Sequence, residues 1–133
     1  WHPERIPGKG SSKSILIVGS GPAGLECARA LGRRGYQVTL AEKNNELGGR
    51  VTQESRLPGL VAWNRVRDYR LGQIRQMDNV ESYLASDVTV GDILEFGSEH
   101  IVLATGSKWR SDGVSRHHLA PLVFPETKTY TPD

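Results

Sequence analysis

An α/β fold built on a parallel sheet of about four strands follows from three observations. Ile15-Leu16-Ile17-Val18 is a short apolar run rich in β-branched residues, the mark of a buried strand, and Gly19-Ser20-Gly21-Pro22-Ala23-Gly24 follows at once. Leu25, Ala28 and Leu31 then recur at helical spacing until Gly35, a natural residue to end a helix. A second extended run, Tyr36 to Ala41, delivers the acid Glu42 at its carboxyl end.

Strand, glycine turn, helix, strand and acid in that order make the βαβ dinucleotide fingerprint. They predict a Rossmann-like, three-layer nucleotide-binding domain, truncated relative to the full domain. Each residue type has a mechanical reason. Gly19 permits the tight turn from strand to helix, Gly21 lets a pyrophosphate approach the backbone, and Gly24 lets the helix pack closely on the strands. Pro22 suits a first helical turn, because its missing N–H has no partner to lose there. The open amides of that turn, around Ala23, and the helix dipole then face the phosphates. Glu42 stands where a carboxylate accepts from both hydroxyls of an adenosine ribose.

The remaining elements follow in order. Residues 1–13 are rich in Pro, Gly and Ser and read as an extended linker; the chain opens on Trp1 rather than Met, which reads as a fragment of a longer protein. Residues 14–106 form the first part of the nucleotide domain. After Glu42, Lys43 leads into Leu47-Gly48-Gly49-Arg50, a loop at the phosphate edge of the sheet in which Arg50 is placed to donate to a phosphate oxygen. A plain turn with Arg50 in water is the competing reading. Leu57-Pro58-Gly59-Leu60 is a turn, Val61 to Met77 a helix weakened at Gly72, and Val80 to Leu84 a third strand. Asp87 to Phe96 is a short helix, capped by Thr89 or Asp87 and ended by Gly97. His100 to Leu103, running into Ala104, Thr105 and Gly106, is a fourth strand expected beside the first, on the side away from the second. Its small terminal residues leave room for a nucleotide, and a strand that merely ends in a Thr-Gly turn is an equal reading of this stretch taken alone. Residues 107–133, with Pro121, Pro125 and Pro132, read as an irregular segment.

Composition excludes several functions. A net charge of +2 with scattered Lys and Arg gives no nucleic-acid signal, and no apolar run is long enough for a membrane span. The single cysteine, Cys27, excludes an internal disulfide and a cysteine cage for zinc or iron–sulfur; it reads as a small buried hydrophobe in a reducing, cytoplasmic setting. Adjacent His117 and His118 point apart and lack further ligands, so they read as exposed loop residues rather than a metal site. Asp68 reads as a partner of its arginine neighbours, and Arg65, Arg67, Arg70 and Arg75 as a solvated helix face in preference to a docking patch. No residue constellation performs chemistry by itself.

Val18 to Glu26, Glu42, Leu47 to Arg50 and Ala104 to Gly106 together resemble flavoproteins with two dinucleotide-binding domains. Trp1-His2-Pro3-Glu4, Leu57-Pro58-Gly59 with Arg67-Asp68-Tyr69-Arg70, and Ala104 to Trp109 followed by Ser111-Asp112-Gly113 are similar to the trimethylamine, dimethylamine and histamine dehydrogenases. That resemblance covers essentially the whole chain. It implies a parent with an FMN-bearing barrel, a 4Fe-4S cluster and a second dinucleotide domain. It further implies amine oxidation at FMN and electron delivery to an electron-transferring flavoprotein. The domain matched here holds ADP in the amine dehydrogenases and FAD in the related dienoyl-CoA reductases. By position, Gly19, Gly21, Gly24 and Glu42 fall on the family's nucleotide motif, and Gly48, Gly49, Arg50, Ala104, Thr105 and Gly106 on its supporting loops. Lys108-Trp109 stands where other flavoproteins commonly carry a proline, which favours ADP. FAD, an NAD-binding dehydrogenase domain and an empty interaction module stay open as alternatives.

Overall fold

The computed structural model describes residues 4–122 and 131. Four strands, β1 (Ile15–Val18), β2 (Val38–Ala41), β3 (Val80–Tyr83) and β4 (His100–Leu103), form one parallel sheet in the order β3-β2-β1-β4. The fourth strand therefore lies beside the first and away from the second, as right-handed crossovers dictate. Ile15 pairs with Val38 on one side and His100 on the other, and Val18 with Ala41 and Leu103. All four strands consequently end at the same edge.

Helix α1 (Pro22–Arg33) crosses from β1 to β2, and α3 (Asn64–Ile74) packs beside it. Alternation along the strands sends Ile15, Ile17, Val38 and Leu40 to these helices, where they meet Leu25, Ala28 and Ile74 in the main core. Gly32 lets α1 approach β3: a Cβ there would stand 2.4 Å from Val80 Cγ2. Asn79 closes the far end of α1, its amide donating to the Gly32 and Tyr36 carbonyls at 2.9 and 2.6 Å. The last carbonyls of a helix need such donors. On the opposite sheet face, the register neighbours Leu103 and Tyr83 are exposed, as is Ile101. The described residues cover one face of the sheet with α1 and α3 and leave much of the other open.

Several boundaries differ from the sequence expectation. The second strand begins at Val38 rather than Tyr36, because the Tyr36 ring turns into the core and its hydroxyl accepts from Gly10 N at 2.9 Å. The long helix is split into a 3-10 turn, Val61–Trp63, and α3. A five-residue helix, α2 (Arg50–Glu54), went unpredicted. Helix α4 (Val90–Phe96) carries the expected Thr89 cap, completed reciprocally by Asp92, and stops at Gly97 in the left-handed conformation.

Residues Glu4 to Lys13 contain no helix or strand, but they are fastened to α1. Glu4 reaches Arg29 and Arg33, both at 2.8 Å, and Arg29 also holds Glu26, which in turn receives Arg70 of α3 at 2.7 Å. Asp68 pairs with Arg67 as expected, and Arg67 also reaches Glu46. Part of the arginine-rich face is thus bound in ion pairs. Cys27 is half-buried against the core, where burial and the Glu26 charge push its thiol up from its ordinary value. His117 and His118 are exposed, whereas Pro125, Pro132 and the first three residues of the Trp1–Glu4 motif lie outside the described residues.

A candidate nucleotide cleft at the carboxyl edge of the sheet

A cleft of about 540 Å³ opens where the strands end, within the range of small-molecule sites. Its floor is the turn Gly19-Ser20-Gly21 leading into Pro22. Gly19 has φ +100°, its N–H donates to Ala41 O at 2.8 Å, and a Cβ there would strike Ala104 O at 2.5 Å. Gly24 lies tighter still, with a hypothetical Cβ 1.9 Å from Gly19 O. Both glycines are required by the chain's own packing. Gly21 is different: its φ of −63° and ψ of −179° suit any residue, and its Cβ position meets nothing within 4 Å. Open space lies at that position, and Gly21 lines the cleft.

Helix α1 begins directly above this floor. It has Pro22 at its first position, no side-chain cap and no acid in its first turn. Helical bonding starts with Leu25 N donating to Gly21 O at 2.9 Å, so the preceding Ala23 and Gly24 amides lie at the open end of the helix. This end carries partial positive charge. An anion is the complementary ligand.

Glu42, at the end of β2, is buried beside it. Its Oε2 accepts from Ser20 N (2.9 Å) and Ser20 Oγ (2.6 Å), and its Oε1 from Asn44 N (2.9 Å) and Asn44 Nδ2 (2.8 Å). Burial pushes this carboxyl up, but the Ser20 and Asn44 donors together outweigh it and hold it below the usual carboxylate range. It is an ionised acceptor whose four lone-pair directions all have protein donors. Ser20 and Asn44 escaped the sequence reading. Their positions, between two motif glycines and two residues after the motif acid, were the available signal.

The Leu47–Arg50 loop returns to the floor as expected, and the structure gives its glycines a specific role. Gly48 N donates to Ser20 O at 3.0 Å, and Gly49, at φ +56°, passes so near Gly21 that a Cβ would sit 3.1 Å from its Cα. The pair brings backbone against the phosphate turn. Arg50 lines the cleft, held by Glu54 at 3.2 Å and lying 5.3 Å from the centroid of the Trp109 ring. Lys43 is exposed at the rim. Ala104, Thr105 and Gly106 form the wall beside the turn, with Ala104 N donating to Val18 O at 2.7 Å. Ten of the twelve sequence-predicted site residues line this one cleft; Ala23 and Gly24 do not line it and stand next to it in the first turn of α1. The opposite wall, Ser86 to Val88, was not foreseen; Ser86 N donates to Glu42 O at 2.8 Å, which brings that loop alongside the acid. The cleft is lined by the start of α1, by two acids, the hydrogen-bonded Glu42 and Asp87, and by three cations, Lys43, Arg50 and Lys108. Such groups are chemically complementary to an anionic, hydroxyl-bearing ligand.

Comparison with known proteins agrees with this geometry. A family profile described as an NAD(P)-binding Rossmann-like domain matches residues 17–85. Dimethylamine dehydrogenase from Hyphomicrobium sp. is 42% identical over 127 residues, covering 92% of this chain and 17% of that protein. The structure of histamine dehydrogenase from Rhizobium sp. 4-9 superposes with a TM-score of 0.86 at 60% identity, covering 91% of this chain and 19% of the other. That of a 6-hydroxypseudooxynicotine amine oxidase from Pseudomonas geniculata N1 gives 0.85 at 50% identity, with 92% and 18% covered. The chain spans less than a fifth of each of these relatives. By its matched segment, its parallel sheet and its glycine turn, the chain belongs to the family of NAD(P)-binding Rossmann-like domains.

Proposed function

We propose that this chain is the adenine-nucleotide-binding part of an amine dehydrogenase-like oxidoreductase, and that it holds ADP as a fixed ligand. The observation that carries the reading is Gly21. Its backbone conformation and surroundings allow a side chain, so the bare Cα is not required by the protein, and Gly21 both caps α1 and lines the cleft. A diphosphate resting there explains the glycine. Arg50 and Lys108 supply charge at the phosphates, and Glu42 accepts from the ribose at the other end of the cleft. An ionised Glu42 favours an unphosphorylated ribose over one bearing a 2′-phosphate. Lys108-Trp109, standing where other flavoproteins commonly carry a proline, supports ADP over FAD.

In this reading the parent oxidises a small amine at FMN and passes electrons through a 4Fe-4S cluster to an electron-transferring flavoprotein in a cytoplasmic setting. The FMN barrel, the cluster cysteines and a second dinucleotide domain then belong to other parts of the parent. The likeness to dimethylamine and histamine dehydrogenases supports this. No helix among the described residues is long and apolar enough to cross a membrane.

Thermal unfolding with added nucleotide tests the reading. ADP at 100 times its dissociation constant is expected to add about 2.7 kcal/mol to the stability of a colourless protein, with NADH doing no better. Yellow protein with flavin absorbance assigns the site to FAD instead. Absence of any shift with adenine nucleotides overturns the site.

A further inference from the structure

The Glu42 carboxylate presents an asymmetry that bears on how a ribose gains access to it. Its Oε2 is held from the inside. Ser20 is fully buried, its N–H and hydroxyl both donate to this oxygen, and the Ser20 carbonyl and hydroxyl accept from Gly48 N at 3.0 and 3.3 Å. Every polar group of Ser20 is therefore engaged, and no ligand reaches that side. Oε1 is held differently. The Asn44 backbone is fixed, with its N–H on Glu42 and its carbonyl accepting from Ala85 N at 2.9 Å. The Asn44 side chain, by contrast, belongs to an exposed residue at the wall of the cleft and is free to rotate into water. Of the four donors on this carboxylate, only Asn44 Nδ2 can leave without moving backbone or opening the core.

We propose that Asn44 is a latch: its amide occupies the single ribose position on Glu42 Oε1 and yields it to one ribose hydroxyl, whereas Ser20 is the positioning residue that keeps Oε2 fixed. This rests on the nucleotide reading above and narrows it from two ribose hydroxyls on Glu42 to one. The latch satisfies a buried carboxylate before the ligand arrives. Ligand binding then exchanges one hydrogen bond for another rather than adding a new one, so removal of the latch strengthens binding.

Calorimetric titration of the intact protein, freed of nucleotide carried through purification, tests this with ADP and 2′,3′-dideoxy-ADP. The wild type should bind ADP and the dideoxy analogue within about threefold of each other, because the ribose bond to Glu42 replaces the Asn44 bond. Asn44→Ala should bind ADP roughly three- to tenfold more tightly than wild type and leave the dideoxy affinity unchanged. Ser20→Ala, introduced beside Asn44→Ala, should remove most of that gain for ADP without changing the dideoxy analogue; a merely structural loss lowers both alike. Asn44→Ala that leaves ADP affinity unchanged or weaker, or Ser20→Ala that weakens both ligands equally, overturns the latch while the nucleotide site stands. A wild-type protein that binds neither ligand overturns the nucleotide reading and the latch together.

Discussion

Gly24 and Gly21 belong to one motif yet answer to different constraints. At Gly24 a methyl group would stand 1.9 Å from the Gly19 carbonyl, with the turn on one side and α1 on the other. Gly24→Ala is expected to destabilise the fold by about 3 kcal/mol or more, since relief requires backbone to move; a urea unfolding curve measures it. Gly21→Val should fold nearly as well as wild type, because its Cβ meets nothing, and should lose ADP binding. If Gly21→Val retains normal ADP affinity, the diphosphate is misplaced. Glu42 adds a pH dependence. Its folded-state carboxyl titrates below the ordinary value, so its stabilisation is complete above the unfolded pKa of about 4.3 and is lost as pH falls through the lower folded value. Glu42→Gln should flatten that acid limb in urea midpoints taken across pH. At neutral pH it should lose about 1–3 kcal/mol, because an amide oxygen cannot serve all four donors. The motif glycines and the acid were legible in the sequence, since backbone freedom and charge are carried by the residue itself. Ser20 and Asn44 were not, because a hydrogen bond from a residue's neighbour depends on the turn geometry that brings them together.

Among the elements, legibility followed length and periodicity. β1, α1 and β4 were readable because apolar residues recur at the period of one structure and are bounded by glycine. α2 was not, since five residues provide barely one turn and no period. The split before α3 also left no trace, because Leu60 to Trp63 is apolar and exposed, so nothing in the pattern separates a 3-10 turn from a helical start. α3 itself buries only Ile74 fully, and arginines bind it to its neighbours. The Arg29 network illustrates what this adds. Arg29 is buried, but its partners Glu4 and Glu26 are half-exposed, which limits the penalty for breaking them. Arg29→Ala should lower stability by about 1–2 kcal/mol and release the Glu4–Lys13 segment, seen as faster amide exchange at Gly10.

For the whole molecule, the described residues cover one sheet face with α1 and α3, and on the other face Leu16 and Ala41 are buried while Tyr83, Ile101 and Leu103 are exposed. The core that does form is concentrated behind β1 and β2, directly beneath the cleft. Leu25→Ala, at a fully buried position in that core, should cost about 2–5 kcal/mol in equilibrium unfolding. The carboxyl edge of the sheet thus rests on the best-packed part of the protein, which suits a site that holds a ligand without moving. The central claim is that α1 begins where a diphosphate ends. A crystal structure grown in excess ADP tests it most directly. Phosphate oxygens are expected at hydrogen-bond distance from the Ala23 and Gly24 amides, over the bare Cα of Gly21, with a ribose hydroxyl on Glu42. ADP bound elsewhere, or a cleft left without nucleotide at saturating concentration, would contradict it.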